Sequence, residues 1–223
     1  MRVEWHGQSA FTLEGDDGKV FIDPFGDMSR MTAGRDLKFD YPPIAAEGVD
    51  LLLVTHEHGD HNGVEAVAGD PATLRAAAGT HESPIGEVVG VSSEHDPSAG
   101  TERGHNTIYV FTLDGVRVAH FGDFGQDALR PEQREAIGDV DLVIVPVGGG
   151  FTIGAEEAAR IVEELQPRWV VPMHYRTERV SFLEPADAFL ERMGRVERLD
   201  EPSFDTADLP EADAPLTVVP AAP

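Results

Sequence analysis

The chain has 223 residues, enough for one domain with a sizeable core. It carries 41 acidic and 17 basic residues, a formal net charge of −24, and its only lysines are Lys19 and Lys38. So negative a field, without a basic patch, argues against nucleic acid and anionic membranes as partners, and the absence of cysteine removes disulfides, thiolate ligands and cysteine nucleophiles together.

In chain order, residues 3–5, 10–14 and 20–22 read as short strands, the last two joined by the turn Gly15-Asp16-Asp17-Gly18. Residues 27–47 form a long polar loop containing Pro42-Pro43. Residues 50–55 form an apolar run that reads as a buried strand. Helical turns are expected at 64–67 and 71–77, and a strand at 88–92. Strands at 107–113 and 116–120 should pair as a hairpin across Asp114-Gly115. A helix over 131–137 precedes a buried strand at 141–145. The stretch 155–165 places Ala155, Ala158, Ala159, Val162 and Leu165 on one helix face, with its charged residues opposite. A strand at 169–172 and a helix at 185–193 follow. Residues 200–213 carry six acids and no base, 216–219 read as a closing strand, and 220–223 should fray.

The densest chemistry lies in Thr55-His56-Glu57-His58-Gly59-Asp60-His61, directly after the apolar run. A strand end can aim four such side chains at one point. Imidazoles and a carboxylate suit zinc and neighbouring divalent ions, and the Glu57 and Gly59 spacers let the backbone turn. Four further motifs stand in order along the chain: Ile22-Asp23-Pro24, His95 in Ser92-Ser93-Glu94-His95, Gly122-Asp123, and His174 in Val171-Pro172-Met173-His174.

Together these five motifs resemble the metallo-β-lactamase superfamily. With Gly7-Gln8-Ser9 and Pro146-Val147-Gly148-Gly149, the chain is similar to the compact single-domain branch related to the ascorbate-phosphate lactonase-like proteins. The resemblance implies an α+β fold, a four-layer αββα sandwich, over residues 1–223. It implies one metal held by His56, His58 and His95, a second held by Asp60, His61 and His174, and Asp123 bridging them. Both ions would be divalent, with zinc, manganese and iron all compatible with the set. It also gives Asp23 the task of orienting the metal loop by hydrogen bonds, and sets residues 27–47 over the site.

His95 is preferred to His105 as third ligand. His105 could line the pocket as a general acid. His120, near Gly122-Asp123, reads as a supporting or core histidine, and Thr152 and Tyr175 flank motifs close enough to touch substrate. Gln8 stands where many relatives carry histidine, which removes a possible proton donor.

The expected activity is metal-dependent hydrolysis of a small-molecule ester, lactone or phosphodiester by a metal-bridged hydroxide, with Asp60 in the catalytic set. The alternative is a non-catalytic metal-binding scaffold of the same fold. No apolar segment reaches membrane-spanning length and the first residues lack a signal-peptide core, so a cytoplasmic location is expected; oligomeric state stays open. The low lysine and high acid content also suggest adaptation to a salty cytosol, with a high-GC genome as the plainer source of the same bias.

Overall fold

The computed structural model describes residues 1–210 and 214–223. Of the acidic stretch 200–213, residues 211–213 therefore lie outside the described residues. Among the rest, no helix is long and apolar enough to cross a membrane.

The chain opens with an antiparallel meander, β1 (Arg2–Gly7), β2 (Ala10–Gly15) and β3 (Gly18–Ile22). One short helix, α1 (Ser29–Thr32), interrupts the following loop before β4 (Leu51–Val54) and β5 (Ala72–Arg75). Next come β6 (Gly79–Ser83), β7 (Gly86–Glu94), β8 (His105–Leu113) and β9 (Val116–His120). Helix α2 (Pro131–Ile137), β10 (Leu142–Pro146), helix α3 (Ala155–Leu165) and β11 (Trp169–Met173) alternate after them. The chain closes with α4 (Asp187–Leu190), β12 (Val196–Arg198), β13 (Ser203–Asp205) and β14 (Leu216–Val219).

Two mixed sheets result, ordered β13-β1-β2-β3-β4-β5 and β12-β14-β11-β10-β9-β8-β7-β6. They pack face to face. Val20, Ile22, Leu51 and Leu53 share one buried cluster with Ile108, Val118, Ile144 and Val171 of the other sheet. Side chains alternate along a strand, so Phe21 and Leu52 point the opposite way. They join a second cluster with Phe25, Tyr41 and Val67. Both faces of β4 are thus buried, and its sequence is an unbroken apolar run for that reason. Helix α2 lies against β7 and α3 against β10, and the whole is the expected α+β sandwich.

The direction of the strands sets the site. β3 and β4 are parallel, as are β9, β10 and β11. Two antiparallel steps, through β8, return β7 to the direction of β9. Asp23, His56, His95, Asp123 and His174 all follow the C-terminal ends of these strands, and therefore converge at one edge of the sandwich.

Three expectations give way. Within 71–77 the chain forms the strand β5, Ala72–Arg75, rather than helical turns, because the open edge of β4 takes it: Ala72 N–H donates to Asp50 O at 3.0 Å and Ala76 N–H to Val54 O at 2.8 Å. The helix expected over 185–193 shortens to the four residues of α4. Residues 220–223 do not fray: Ala221 N–H donates to Glu201 O at 3.1 Å, and Pro223 O accepts from Arg179 Nε at 3.1 Å.

Candidate metal centre

The metal loop begins where β4 runs out of partners. Thr55 N–H donates to Asp23 Oδ1 at 2.7 Å, and Thr55 O accepts from Thr107 N–H of β8 at 3.1 Å, so both sheets pin the loop's first residue. His61 and Asn62 N–H both fold back onto His58 O, at 3.0 and 3.1 Å. That tight turn gathers His56, His58 and His61. Gly59 is not what makes it possible, since a Cβ there would meet nothing within 4 Å. Glu57 faces outward, paired with Arg75 and Asn62.

His56 Nε2 and His58 Nδ1 lie 3.0 Å apart. The last carboxylate of the set, Asp123, sits amid the imidazoles. Its Oδ1 is 3.1 Å from His61 Nε2, and its Oδ2 is 3.0 Å from His95 Nε2 and 3.4 Å from His174 Nε2. Ligand-type atoms fall within 4.8 Å of one another in three overlapping groups: His56, His58 and His95; His56, His61 and Asp123; Asp60, His61 and His174. All seven residues expected at the centre are brought together.

The protons can be traced. Asp23 is buried, and its Oδ2 accepts from Thr55 Oγ1–H at 2.7 Å and from His61 Nδ1–H at 2.9 Å. With its own proton so used, Thr55 Oγ1 accepts from His56 Nδ1–H at 3.0 Å. One carboxylate therefore engages Nδ1 of both rings, directly for His61 and through Thr55 for His56, and turns their Nε2 atoms toward the centre. His61 Nε2 and Asp123 Oδ1 are buried and, although close, have no hydrogen-bond partner among the described residues.

Electrostatics point the same way. Burial lowers the basicity of His56, His58 and His174, which keeps them neutral donors. Burial works against a charged His61 as well, but Asp123, Asp60 and Asp23 outweigh it and raise that imidazole well above its usual range. Burial also pushes the Asp123 carboxyl up, and His174 and His61 overcome it, holding the group well below the usual carboxylate range. Carboxylates crowded among imidazoles, with His61 itself favoured in its charged form, form a place for positive charge, and the donor set fits divalent metal ions.

The supporting residues were only partly foreseen. Gln8 Nε2 donates to Asp60 Oδ2 at 2.9 Å, so the residue that stands in place of a histidine orients a carboxylate of the expected ligand set. Asn106 Oδ1 accepts Asp123 N–H at 3.0 Å. His120 Nε2–H donates to Ser9 O at 3.0 Å while Nδ1 accepts Gly122 N–H at 3.2 Å; burial lowers its basicity, and it stays a neutral strut between sheets.

A cavity of about 440 Å³ opens over the donors, lined on its far side by Met28, Arg103, Phe151 and Phe182. His105 is not among its lining residues: it is exposed at the first position of β8, so the pocket role expected of it is not supported. Thr152 does not line it either, and Tyr175 is buried with its ring centroid 5.4 Å from that of Trp5.

Comparison with known proteins agrees with this geometry. Residues 2–174 match the family model of the β-lactamase superfamily domain. The chain is 35% identical over 203 residues to a UPF0173 metal-dependent hydrolase of Thermococcus kodakarensis, covering 79% of this chain and 85% of that one. It is 34% identical over 200 residues to another from Pyrococcus horikoshii, with the same coverage of 79% and 85%. The crystal structure of a candidate Zn-dependent hydrolase of the metallo-β-lactamase superfamily from Thermotoga maritima superposes with a TM-score of 0.77 at 28% identity, over 99% of both chains.

Proposed function

The chain belongs to the β-lactamase superfamily, among the metal-dependent hydrolases of the metallo-β-lactamase fold, and we propose that it uses two divalent ions to hydrolyse a small-molecule ester, lactone or phosphodiester. In this reading His56, His58 and His95 hold one ion, Asp60, His61 and His174 the other, and Asp123 bridges them. The observation that carries it is the placement of Asp123 between both sets: Oδ1 lies 3.1 Å from His61 Nε2, and Oδ2 lies 3.0 Å from His95 Nε2 and 3.4 Å from His174 Nε2. Divalent ions held by these residues would supply Lewis acidity, making a water nucleophilic near neutral pH and polarising the substrate oxygen.

The chain's own work is to prepare that site. Asp23 Oδ2 holds the Nδ1 proton of His61 and, through Thr55 Oγ1, that of His56. Gln8 turns Asp60 inward. Zinc is the first candidate, and manganese and iron suit the same donors. A small substrate matches the size of the cavity, and the charge of −24 disfavours nucleic acid and anionic membranes. The competing scaffold reading requires an occluded site, whereas here a cavity lies over the donors.

The test is hydrolysis of 4-nitrophenyl acetate, γ-butyrolactone and bis(4-nitrophenyl) phosphate by zinc- or manganese-loaded protein and by Asp123→Ala. The expected result is turnover of at least one compound, lost by a thousandfold or more in a variant that remains folded, an order of magnitude suited to removing a group the reaction cannot do without (about 4 kcal/mol). Turnover unaffected by Asp123→Ala would overturn the assignment. Inactivity of wild type on every compound, with metal bound, would favour the scaffold.

A further inference from the structure

Among the described residues that line the cavity above the metal donors, Arg103 is the one arginine or lysine, beside the carboxylates of Asp27, Asp60 and Asp123. Its guanidinium carbon lies 3.8 Å from the ring centroid of Phe151, and among the described residues the guanidinium has no carboxylate partner. In a chain with 41 acids that is a charge left available. Arginines elsewhere divide: Arg75, Arg130 and Arg160 pair with acids, while Arg168 stacks on Trp169 as Arg103 does on Phe151, so what sets Arg103 apart is its place in the lining of the cavity.

The position of Arg103 is built, not incidental. Asp96 directly follows His95, is buried, and accepts four backbone N–H groups. These are Ser98 and Gly100 on Oδ1, both at 2.9 Å, and Glu102 and Arg103 on Oδ2, at 3.1 and 2.8 Å. A single carboxylate thus ties the backbone of Arg103 to a proposed metal ligand. Phe151 approaches from the other side, 41% exposed, with its N–H donating to Gly149 O at 2.7 Å in the turn that follows Gly148, whose backbone packs on His174. The backbones that carry the cation and its aromatic platform thus lead from different parts of the metal centre, one from His95 through Asp96 and the other from the turn after Gly148. A guanidinium on an aromatic face keeps its fork of N–H donors free in the plane, the geometry that takes an oxyanion by two parallel hydrogen bonds.

We infer that Arg103 and Phe151 form a specificity subsite for an oxyanion carried by the substrate, a carboxylate or phosphate separate from the bond that is cleaved, with Phe151 packing the carbon frame between them. This inference rests on the proposed metal-dependent hydrolysis. It narrows the substrate to small organic anions.

The test compares butyrate with succinate, of the same carbon number, by calorimetric titration of metal-loaded protein. Either compound can place one carboxylate on the metals; only succinate has a second for Arg103. Wild type is expected to bind succinate about tenfold or more tightly than butyrate, as one charge-assisted pair would give. Arg103→Met should lose that preference while binding butyrate unchanged, and Arg103→Lys should keep part of it. In parallel, mono-4-nitrophenyl succinate should be favoured over 4-nitrophenyl butyrate in kcat/KM by wild type, through KM, and not by Arg103→Met. An equal preference for succinate in wild type and Arg103→Met would overturn the subsite, as would no preference in wild type that holds metal. Protein that takes up no metal at all would overturn the hydrolase reading itself, and the subsite with it.

Discussion

At the scale of single residues, the centre depends on a carboxylate that need not touch metal. Asp23 sits at φ +50°, in the left-handed region, with no measurable exposure. From there it sets the ring proton of His61 directly and that of His56 through Thr55. Asp23→Asn places an amide in this position; its single oxygen cannot serve both Thr55 N–H, now on Oδ1, and the Thr55 Oγ1–H and His61 Nδ1–H donors, now on Oδ2. The expected consequence is a ten- to hundredfold loss of zinc affinity, the order found when partners of metal-binding histidines are removed (about 1.4–2.8 kcal/mol). Competition with a chromophoric chelator measures it, and an unchanged affinity would mean that the tautomers are set elsewhere.

The same scale shows why His95 and His105 were hard to separate in sequence. Both sit in polar surroundings near a strand end. In the structure Glu94 pairs directly with His105 across β7 and β8. Directly opposed residues share a face of the sheet, so His105 goes with Glu94, away from the centre, and His95 takes the other side. Register decides this, and register is not written in the ten residues around either histidine. The His56–His61 run was legible because its ligands are local. Gln8 and Asn106 were not, because each acts across the fold on a residue far along the chain.

At the scale of elements, the ligand-bearing strand ends are held in place by close backbone approaches. Gly125 packs on His95, where a Cβ would lie 2.4 Å from the His95 carbonyl carbon. Gly148 packs on His174 in the same way, at 2.1 Å from its carbonyl oxygen. In Gly148→Ala the obstacle is backbone, so the end of β11 must move. We expect a destabilisation of about 1–3 kcal/mol and selective weakening of the second metal in zinc titrations. Gly59→Ala, in the metal loop itself but with open space around it, should bind both ions as wild type does. Equal behaviour of the two variants would refute the packing argument.

Elements with a self-contained signal were readable. The hairpin of β8 and β9 turns on Asp114-Gly115, with Asp114 at φ +50° and Gly115 at φ +74°. Helix α3 buries Ala158, Ile161, Val162 and Leu165 along one stripe. β5 failed as an expectation because its alanines favour helix in isolation, while the unpaired edge of β4 offers backbone partners that only the assembled sheet supplies. The short edge strands β6, β12 and β13 gave no signal for the same reason.

At the scale of the whole molecule, charge and metal binding are coupled. A formal charge of −24 makes the folded state self-repelling at low ionic strength. The melting temperature of the protein is therefore expected to rise between low salt and molar KCl, and equal values at both would sink the reading of a salt-adapted chain. The centre is the point where this negative molecule concentrates imidazoles and carboxylates around a place for cations, at the edge where both sheets end.

The most direct test is the metal content of protein purified without chelator or a metal-binding tag, by elemental mass spectrometry, before and after reconstitution with zinc. Two ions per chain are predicted, falling to one or fewer in Asp123→Ala. A wild-type chain that saturates at one ion would contradict the bridging role of Asp123, and one that binds none would contradict the metal centre altogether.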